Sequence, residues 1–368
     1  VDGFRMDVIN FISKPAELVD VEPIAGQTYG DGFSVVANGH RLQEFLAEMN
    51  AQVGLDEHHL LTVGEMPGST VATARTMTDP ANHALNMVFT FEHVSLDRGP
   101  RGSKYASVPL DLVELKRNLE SWQVGLADVG WNSLYWDNHD QPRAVSRFGD
   151  DSPEFRATSA KTLASVLHLH RGTPYVYQGE ELGMTNTRFA DISDYRDVEA
   201  LNYHAEAVSL GLDAEAVMAG LASHSRDNAR TPMQWDDTHQ AGFTEGIPWL
   251  SVNPNYVTVN ARAEVKDPGS VFHHTRQLIA LRHELPVLAE GRFELLLGDD
   301  PQLWVISRTF DDQTILLVAN CSSRPASVPE GSLPDVSRAR LLLATHGDHR
   351  GADLAPWESR IFLLPRLV

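Results

Sequence analysis

The sequence predicts an α/β architecture: part of a (β/α) barrel built on parallel strands, followed by an antiparallel β-domain. Three observations predict it. Short apolar runs alternate with amphipathic helical stretches from residue 2 to about 180, as in a parallel sheet covered by helices. Acidic residues stand at the C-terminal ends of several of those runs, where a barrel gathers its chemistry. Beyond about residue 290 the pattern changes to short strand-like runs such as FELLLG, LWVISRTF, TILLVAN and RIFLLP, which read as antiparallel strands.

In chain order, the predicted strands are DGFRMDV (2–8), HLLTVGE (59–65), ALNMVFTFEH (84–93), WNSLYWDN (131–138) and TPYVYQGE (173–180). Each is a run of four to ten residues rich in apolar, aromatic or β-branched side chains. The spacing predicts helices over 40–53, 109–129 and 157–172, a further helical stretch over 213–224, and an amphipathic helix over 270–288. The expected domains are 1–289 for the partial barrel and 290–368 for the β-domain.

Composition narrows the function. The 368 residues are 42% hydrophobic and carry 50 acidic against 30 basic side chains, a net charge of −20. Such a chain is not expected to bind nucleic acid or an anionic membrane surface, and no apolar run reaches the length of a membrane span. A small neutral substrate fits better. Cys321 is the single cysteine, so no internal disulfide is expected and a reducing, cytoplasmic setting is anticipated. The paired histidines of DEHHL (56–60) lack the spacing of a helical zinc site. His168 and His170 fall at a helix end, where a cation suits the dipole, and are expected to be structural.

Three short stretches carry the chemistry. In GFRMD, strand alternation sets Arg5 and Asp7 on one face. An Arg so placed holds a carboxylate ionised and oriented, as a nucleophile requires, although a structural ion pair is the commoner use of such a pair. In TVGEMPG, Glu65 ends a buried strand next to a glycine, a place where a carboxyl can keep its proton and act as general acid; a solvated loop Glu is the alternative. In YWDNHDQPR, Asp137, His139, Asp140 and Arg143 crowd a strand end behind Tyr135 and Trp136, either as a site or as a capped turn. Together, Asp7, Glu65 and Asp140 each end a separate predicted strand. Paired carboxylates about one bond are the apparatus of glycoside hydrolysis.

These residues sit in stretches that resemble the α-amylase superfamily, glycoside hydrolase family thirteen, and within it the oligo-1,6-glucosidase and α-glucosidase branch. The stretches are DGFRMDVINFISK, LTVGEMPG, VFTFEHVSLD, GWNSLYWDNHDQPRAVSRFGDD, GTPYVYQGEELGMTN, RDNARTPMQWDD and PWLSVNPNY, in family order from residue 1 to about 256. The resemblance implies that Asp7 is the nucleophile, Glu65 the acid/base and Asp140 the transition-state stabiliser. It implies that Arg5, His139 and Arg230 contact the nucleophile or the sugar in the −1 subsite, and that Phe91 lines the +1 side. Val8, after the nucleophile, goes with α-1,6 cleavage in this branch, where Thr or Ala goes with α-1,4. The substrate would be a short oligosaccharide such as isomaltose or maltose.

GFRMD corresponds to the family's fourth strand, so strands four to eight are expected here. The first three strands, an inserted subdomain and roughly 150–200 N-terminal residues by the size of such a barrel are expected to lie outside this segment. The family's calcium or magnesium site would lie there too, so no metal site and no cofactor are expected in these residues, and the segment alone is expected to be inactive or poorly folded. A sucrose isomerase of the same family is the rival. Those enzymes carry RLDRD near the +1 side, and SLDRG (95–99) departs from it. A non-catalytic member is the other rival, disfavoured by the presence of all three acids. Oligomeric state is left open.

Overall fold

Parallel pairing begins almost at once. The computed structural model describes residues 1–17, 19–23, 30–99, 103–348 and 350–365. They form two compact units, one of Val1–His93 with Asn118–Leu134, the other of Val94–Arg117 with Tyr135–Val368.

In the first unit, β1 (Gly3–Met6), β2 (Leu61–Glu65) and β3 (Met87–Phe89) pair in parallel in that order. Val88 bridges in parallel to Asn132, beside β4 (Ser133–Leu134). Between the strands run α1 (Phe33–Val36), α2 (Leu42–Val53) and α3 (Val71–Thr78), and the second half of α4 (Leu112–Gly125) belongs to this unit. Gly54 ends α2 at φ +69°, a left-handed stop that glycine adopts without a Cβ clash. Thr70 caps α3 by accepting the Thr73 N–H. The apolar faces of α2, α3 and α4 (Leu42, Leu46, Ala74, Met77, Trp122, Leu126) close over Met66, Leu85 and Val88.

In the second unit lie α5 (Ala144–Arg147), α6 (Arg156–Leu169), β5 (Thr173–Pro174), α7 (Val198–Ser209), α8 (Ala214–His224), α9 (Ala261–Lys266), α10 (Val271–Glu284) and α11 (Pro286–Glu290). The side chains of Asp197, Asp213, Asn260 and Ser270 cap α7, α8, α9 and α10. The predicted helix over 270–288 is two, because Pro286 cannot continue the ladder and instead starts a new turn. A five-stranded antiparallel sheet follows from β6 (Arg292–Leu296), β7 (Leu303–Phe310), β8 (Gln313–Asn320), β10 (Arg340–Ala344) and β12 (Ser359–Leu363), ordered β10-β12-β8-β7-β6. A short β9 (Ala326–Ser327) pairs with β11 (Asp353–Leu354).

β8 is buried along six consecutive residues rather than on alternate ones. One face, Leu316 and Val318, packs with Leu303, Val305 and Leu354. The other faces α6 and its flank: Trp304 meets Trp136 edge-on, His170 stacks on Phe293, and Arg308 donates to the Leu169 and Gly291 carbonyls at 2.8 Å each.

Three predicted strands are shorter than expected. Residues 84–93, 131–138 and 173–180 keep ladders only at 87–89, 133–134 and 173–174. Their apolar character comes from burial in loops beyond the ladder, as at Tyr135 and Trp136, both at most 3% exposed. The reading of His168 as a cation for the helix dipole is also corrected. It is buried, its Nδ1 faces the Ala164 carbonyl at 2.9 Å, and burial pushes its pKa down to about 4, so the ring is neutral.

Candidate active site

The parallel register sets Met6 beside Gly64, so Asp7 and Glu65 leave the sheet at one level. Gly64 is required there, because a Cβ would stand 2.7 Å from the Leu85 Cδ1 and 3.0 Å from Ile9. Arg5 serves both acids: its guanidinium pairs with Asp7 Oδ1 and, at 2.7 Å, with Glu65 Oε2. The chain then turns sharply at Val8, with φ 37° and ψ 42°. A β-branched residue in the left-handed region is strained by about 1–3 kcal/mol. That turn aims the Val8 N–H at Glu65 Oε2, 3.2 Å away.

The two acids differ in exposure, 74% for the Asp7 side chain and 10% for Glu65. Burial raises the Glu65 pKa from its ordinary value. The Val8 N–H opposes the rise, the hydrogen bond to Asp7 and its charge add to it, and Arg5 works against it. The arrangement is a buried carboxyl of raised pKa against an exposed one oriented by an arginine, which suits acid and nucleophile roles respectively. Phe91, two residues beyond β3, is partly buried. Its neighbour Glu92 accepts from Asn118 Nδ2 at 2.9 Å and Trp122 Nε1 at 2.8 Å, which pins that loop to α4.

In the second unit the segment after β4 turns on Asn138, whose side chain accepts the Asp140 N–H at 2.7 Å. Arg230 joins both predicted partners: its guanidinium pairs with Asp140 Oδ1, and its Nε donates to the His139 carbonyl at 2.7 Å. His139 Nε2 stands 3.5 Å from Asp140 Oδ2 and is half exposed. Thus His139, Asp140 and Arg230 are brought together in the second unit.

Two partners escaped the sequence reading. Arg226 lies 3.5 Å from Asp140 and is held in a two-pronged pair with Asp197, at 2.6 and 2.8 Å. Asp197 would be raised by burial, but the Arg226 hydrogen bond and charge lower it. The four-residue spacing of Arg226 and Arg230 within RDNAR was the available signal. The SLDRG stretch also hides an anchor. Asp97 accepts two hydrogen bonds from Arg147, at 2.6 and 2.8 Å, and lies 3.2 Å from His224 Nε2. Among the described residues, no group of three or more His, Cys, Asp or Glu is placed to hold a metal ion. No helix among them is long and apolar enough to cross a membrane.

Residues 1–291 match the family described as alpha amylase, catalytic domain. The chain belongs to the α-amylase family. Its fold class is that of the later part of a (β/α)8 barrel followed by an antiparallel β-domain. Among curated proteins, it is 49% identical to an oligo-1,6-glucosidase of Halalkalibacterium halodurans, over 99% of this chain and 65% of that protein. Among solved structures, it matches trehalose-6-phosphate hydrolase of Bacillus licheniformis with TM-score 0.90 and 40% identity, over 99% of this chain and 65% of the other. An isomaltulose synthase of Erwinia rhapontici matches with TM-score 0.90 and 32% identity, over 99% and 66%. The chain therefore spans about 65% of the length of the curated relatives it matches.

Proposed function

We propose that the protein is a retaining α-glucosidase that removes terminal glucose from short oligosaccharides, with α-1,6 links preferred. The observation that carries this reading is the Arg5–Asp7–Glu65 group, in which one arginine pairs with both carboxyls and burial raises the pKa of the second, Glu65. Asp7 attacks the anomeric carbon, the bond from that carbon to the glycosidic oxygen breaks, and Glu65 gives its proton to the departing oxygen, leaving a glucosyl–Asp7 ester. Water, deprotonated by Glu65, then cleaves the glucosyl–Asp7 ester. Asp140, with Arg230 and His139 on it, stabilises the oxocarbenium-like charge and holds sugar hydroxyls. Arg5 keeps Asp7 ionised, Phe91 lines the +1 side, and Val8 narrows the floor beside the nucleophile.

The reading needs no cofactor for these steps. The substrate is a neutral sugar such as isomaltose. A cytoplasmic setting is supported by the single cysteine. Hydrolysis is favoured over sucrose isomerisation by the departure of Ser95–Gly99 from the isomerase pattern at both ends. The test is to assay the whole protein on isomaltose, maltose, sucrose and trehalose 6-phosphate, with Asp7→Ala as control. Glucose release fastest from isomaltose supports the reading. A preference for trehalose 6-phosphate, or an isomer made from sucrose, overturns it.

A further inference from the structure

The second unit holds a carboxyl pair that none of these steps uses. Asp137 is 2% exposed. Its Oδ2 accepts the Ala144 N–H at 2.9 Å, while its Oδ1, equally buried, meets no N–H or hydroxyl donor. A buried acceptor without a donor is costly, the more so when charged. The acid in hydrogen-bonding contact with Asp137 is Glu180, at the start of the turn Glu180–Leu182. One Glu180 oxygen, Oε2, accepts the Tyr177 N–H at 3.4 Å. Both acids line a small cavity whose other walls include Val145, Ala160, Leu163 and Met184, so water does not solvate them freely.

We propose that Asp137 and Glu180 share one proton, carried on Glu180 and donated to Asp137 Oδ1, and that this bond positions the segment bearing His139 and Asp140. The proton supplies the one donor that Oδ1 lacks. Two carboxylates in such contact do not both ionise. The neighbouring charges assign the proton to Glu180. Arg143, 1% exposed, lies by Asp137 and favours its charge, while Glu181, whose carboxylate accepts the Gly179 N–H at 2.7 Å, opposes charge on both acids and so leaves the choice to Arg143. Tyr177 sits under the Arg143 guanidinium and donates to the Ala229 carbonyl at 3.1 Å. The next charges, Arg156 and Glu264, pair with each other at 3.2 Å. Burial raises both acids.

The bond acts on the site through Arg143. Its guanidinium donates to the carbonyls of Gln178 (2.6 Å), Asn228 (3.3 Å) and Ala229 (3.2 Å). Residue 230 follows directly and carries the arginine that pairs with Asp140. An Asp137 carboxylate satisfied on both oxygens therefore compensates the cation that ties 137–144 to 228–230.

The test compares the whole protein with Glu180→Gln, Asp137→Asn and Glu180→Leu. A carboxyl whose folded pKa is raised holds a proton that the unfolded chain gives up. Its stabilisation is full below the unfolded value near ~4.3 and is lost as pH rises towards the folded value. Relative to Glu180→Gln, the wild-type folding equilibrium should weaken by about tenfold per pH unit across that window. Asp137→Asn, which lets Glu180 ionise against an amide, should flatten the same dependence. An infrared C=O stretch of a protonated acid, present at pH 7, should diminish in Glu180→Gln.

On the glycosidase reading, Glu180→Leu lowers kcat and Glu180→Gln restores it, because the amide keeps the donor. The infrared and stability arms do not depend on that reading. Equal pH slopes in wild type and Glu180→Gln, or an unchanged acid band, overturn the shared proton. Equal kcat losses in Glu180→Leu and Glu180→Gln, with the band and slopes as expected, overturn the positioning role alone.

Discussion

Replacing Arg147 by Met takes the guanidinium from an ion pair that is almost wholly out of water. The Arg147 and Asp97 side chains are 4% and 7% exposed, and their two hydrogen bonds measure 2.6 and 2.8 Å. Arg147 also donates to the Val94 carbonyl and to Gln141 Oε1, each at 2.7 Å. Burial by itself would raise Asp97. The hydrogen bonds from His224 and Arg147 and the Arg147 charge win, and hold the carboxyl well below its ordinary range. Removing one partner of such a pair leaves a buried charge uncompensated, which costs about 3–5 kcal/mol. The folded-to-unfolded ratio should then drop by roughly two to three and a half powers of ten.

Urea unfolding of the whole protein at pH 7, on wild type, Arg147→Met, Asp97→Asn and the double variant, measures this. The double variant should lose less than the sum of the singles, by about 0.5–3 kcal/mol. Asp97 is a depressed acid, so its contribution is present above the unfolded value near ~3.9 and is lost as pH falls below it. Asp97→Asn should therefore flatten the acid limb of the stability curve. A cost for Arg147→Met below about 1 kcal/mol, the size of an exposed pair, would refute the argument from burial.

Three further outcomes are expected. Glu65→Gln should lower turnover of isomaltose by about 10²–10⁴-fold, and should cost much less with a phenol leaving group that needs no proton; an equal loss on both substrates counts against Glu65 as the acid. Val8→Thr should move the kcat/KM ratio of isomaltose to maltose towards maltose by about 10–200-fold at most, read from parallel progress curves; no movement removes Val8 from specificity. Thr70→Ala should cost about 1 kcal/mol in urea unfolding through the lost α3 cap, and a neutral result means the Thr73 N–H finds another acceptor.

Much of the first cluster was legible because it is local. Arg5 and Asp7 are two apart on a strand, and Glu65 closes an apolar run, so alternation and strand ends were enough. Val8 was readable as a residue type but not as a conformation, since β-branched side chains disfavour positive φ and nothing in GFRMDV announces the turn. Arg226 and Asp197 were illegible because their pairing spans 29 residues of chain that include α7 and α8. The Asp97 anchor is more distant still, with His224 127 residues away. Periodicity misjudged β3, β4 and β5 because a residue buried in a loop and one buried in a ladder look alike in sequence. His168 was misread because its helix end is covered, and a covered end prefers a neutral ring.

The place of β12 in its sheet has a consequence for biosynthesis. It is made after β6, β7, β8 and β10, yet it fits between β10 and β8. Until Ser359–Leu363 leaves the ribosome, β8 and β10 each present an open edge to other nascent chains. The β7–β8 hairpin, closed by Asp311 at φ 51° and Asp312, can form early and wait. A premature stop between Ala344 and Ser359 therefore leaves an aggregation-prone intermediate rather than a slightly shortened protein. Chaperone dependence during synthesis should track the delay before that strand emerges.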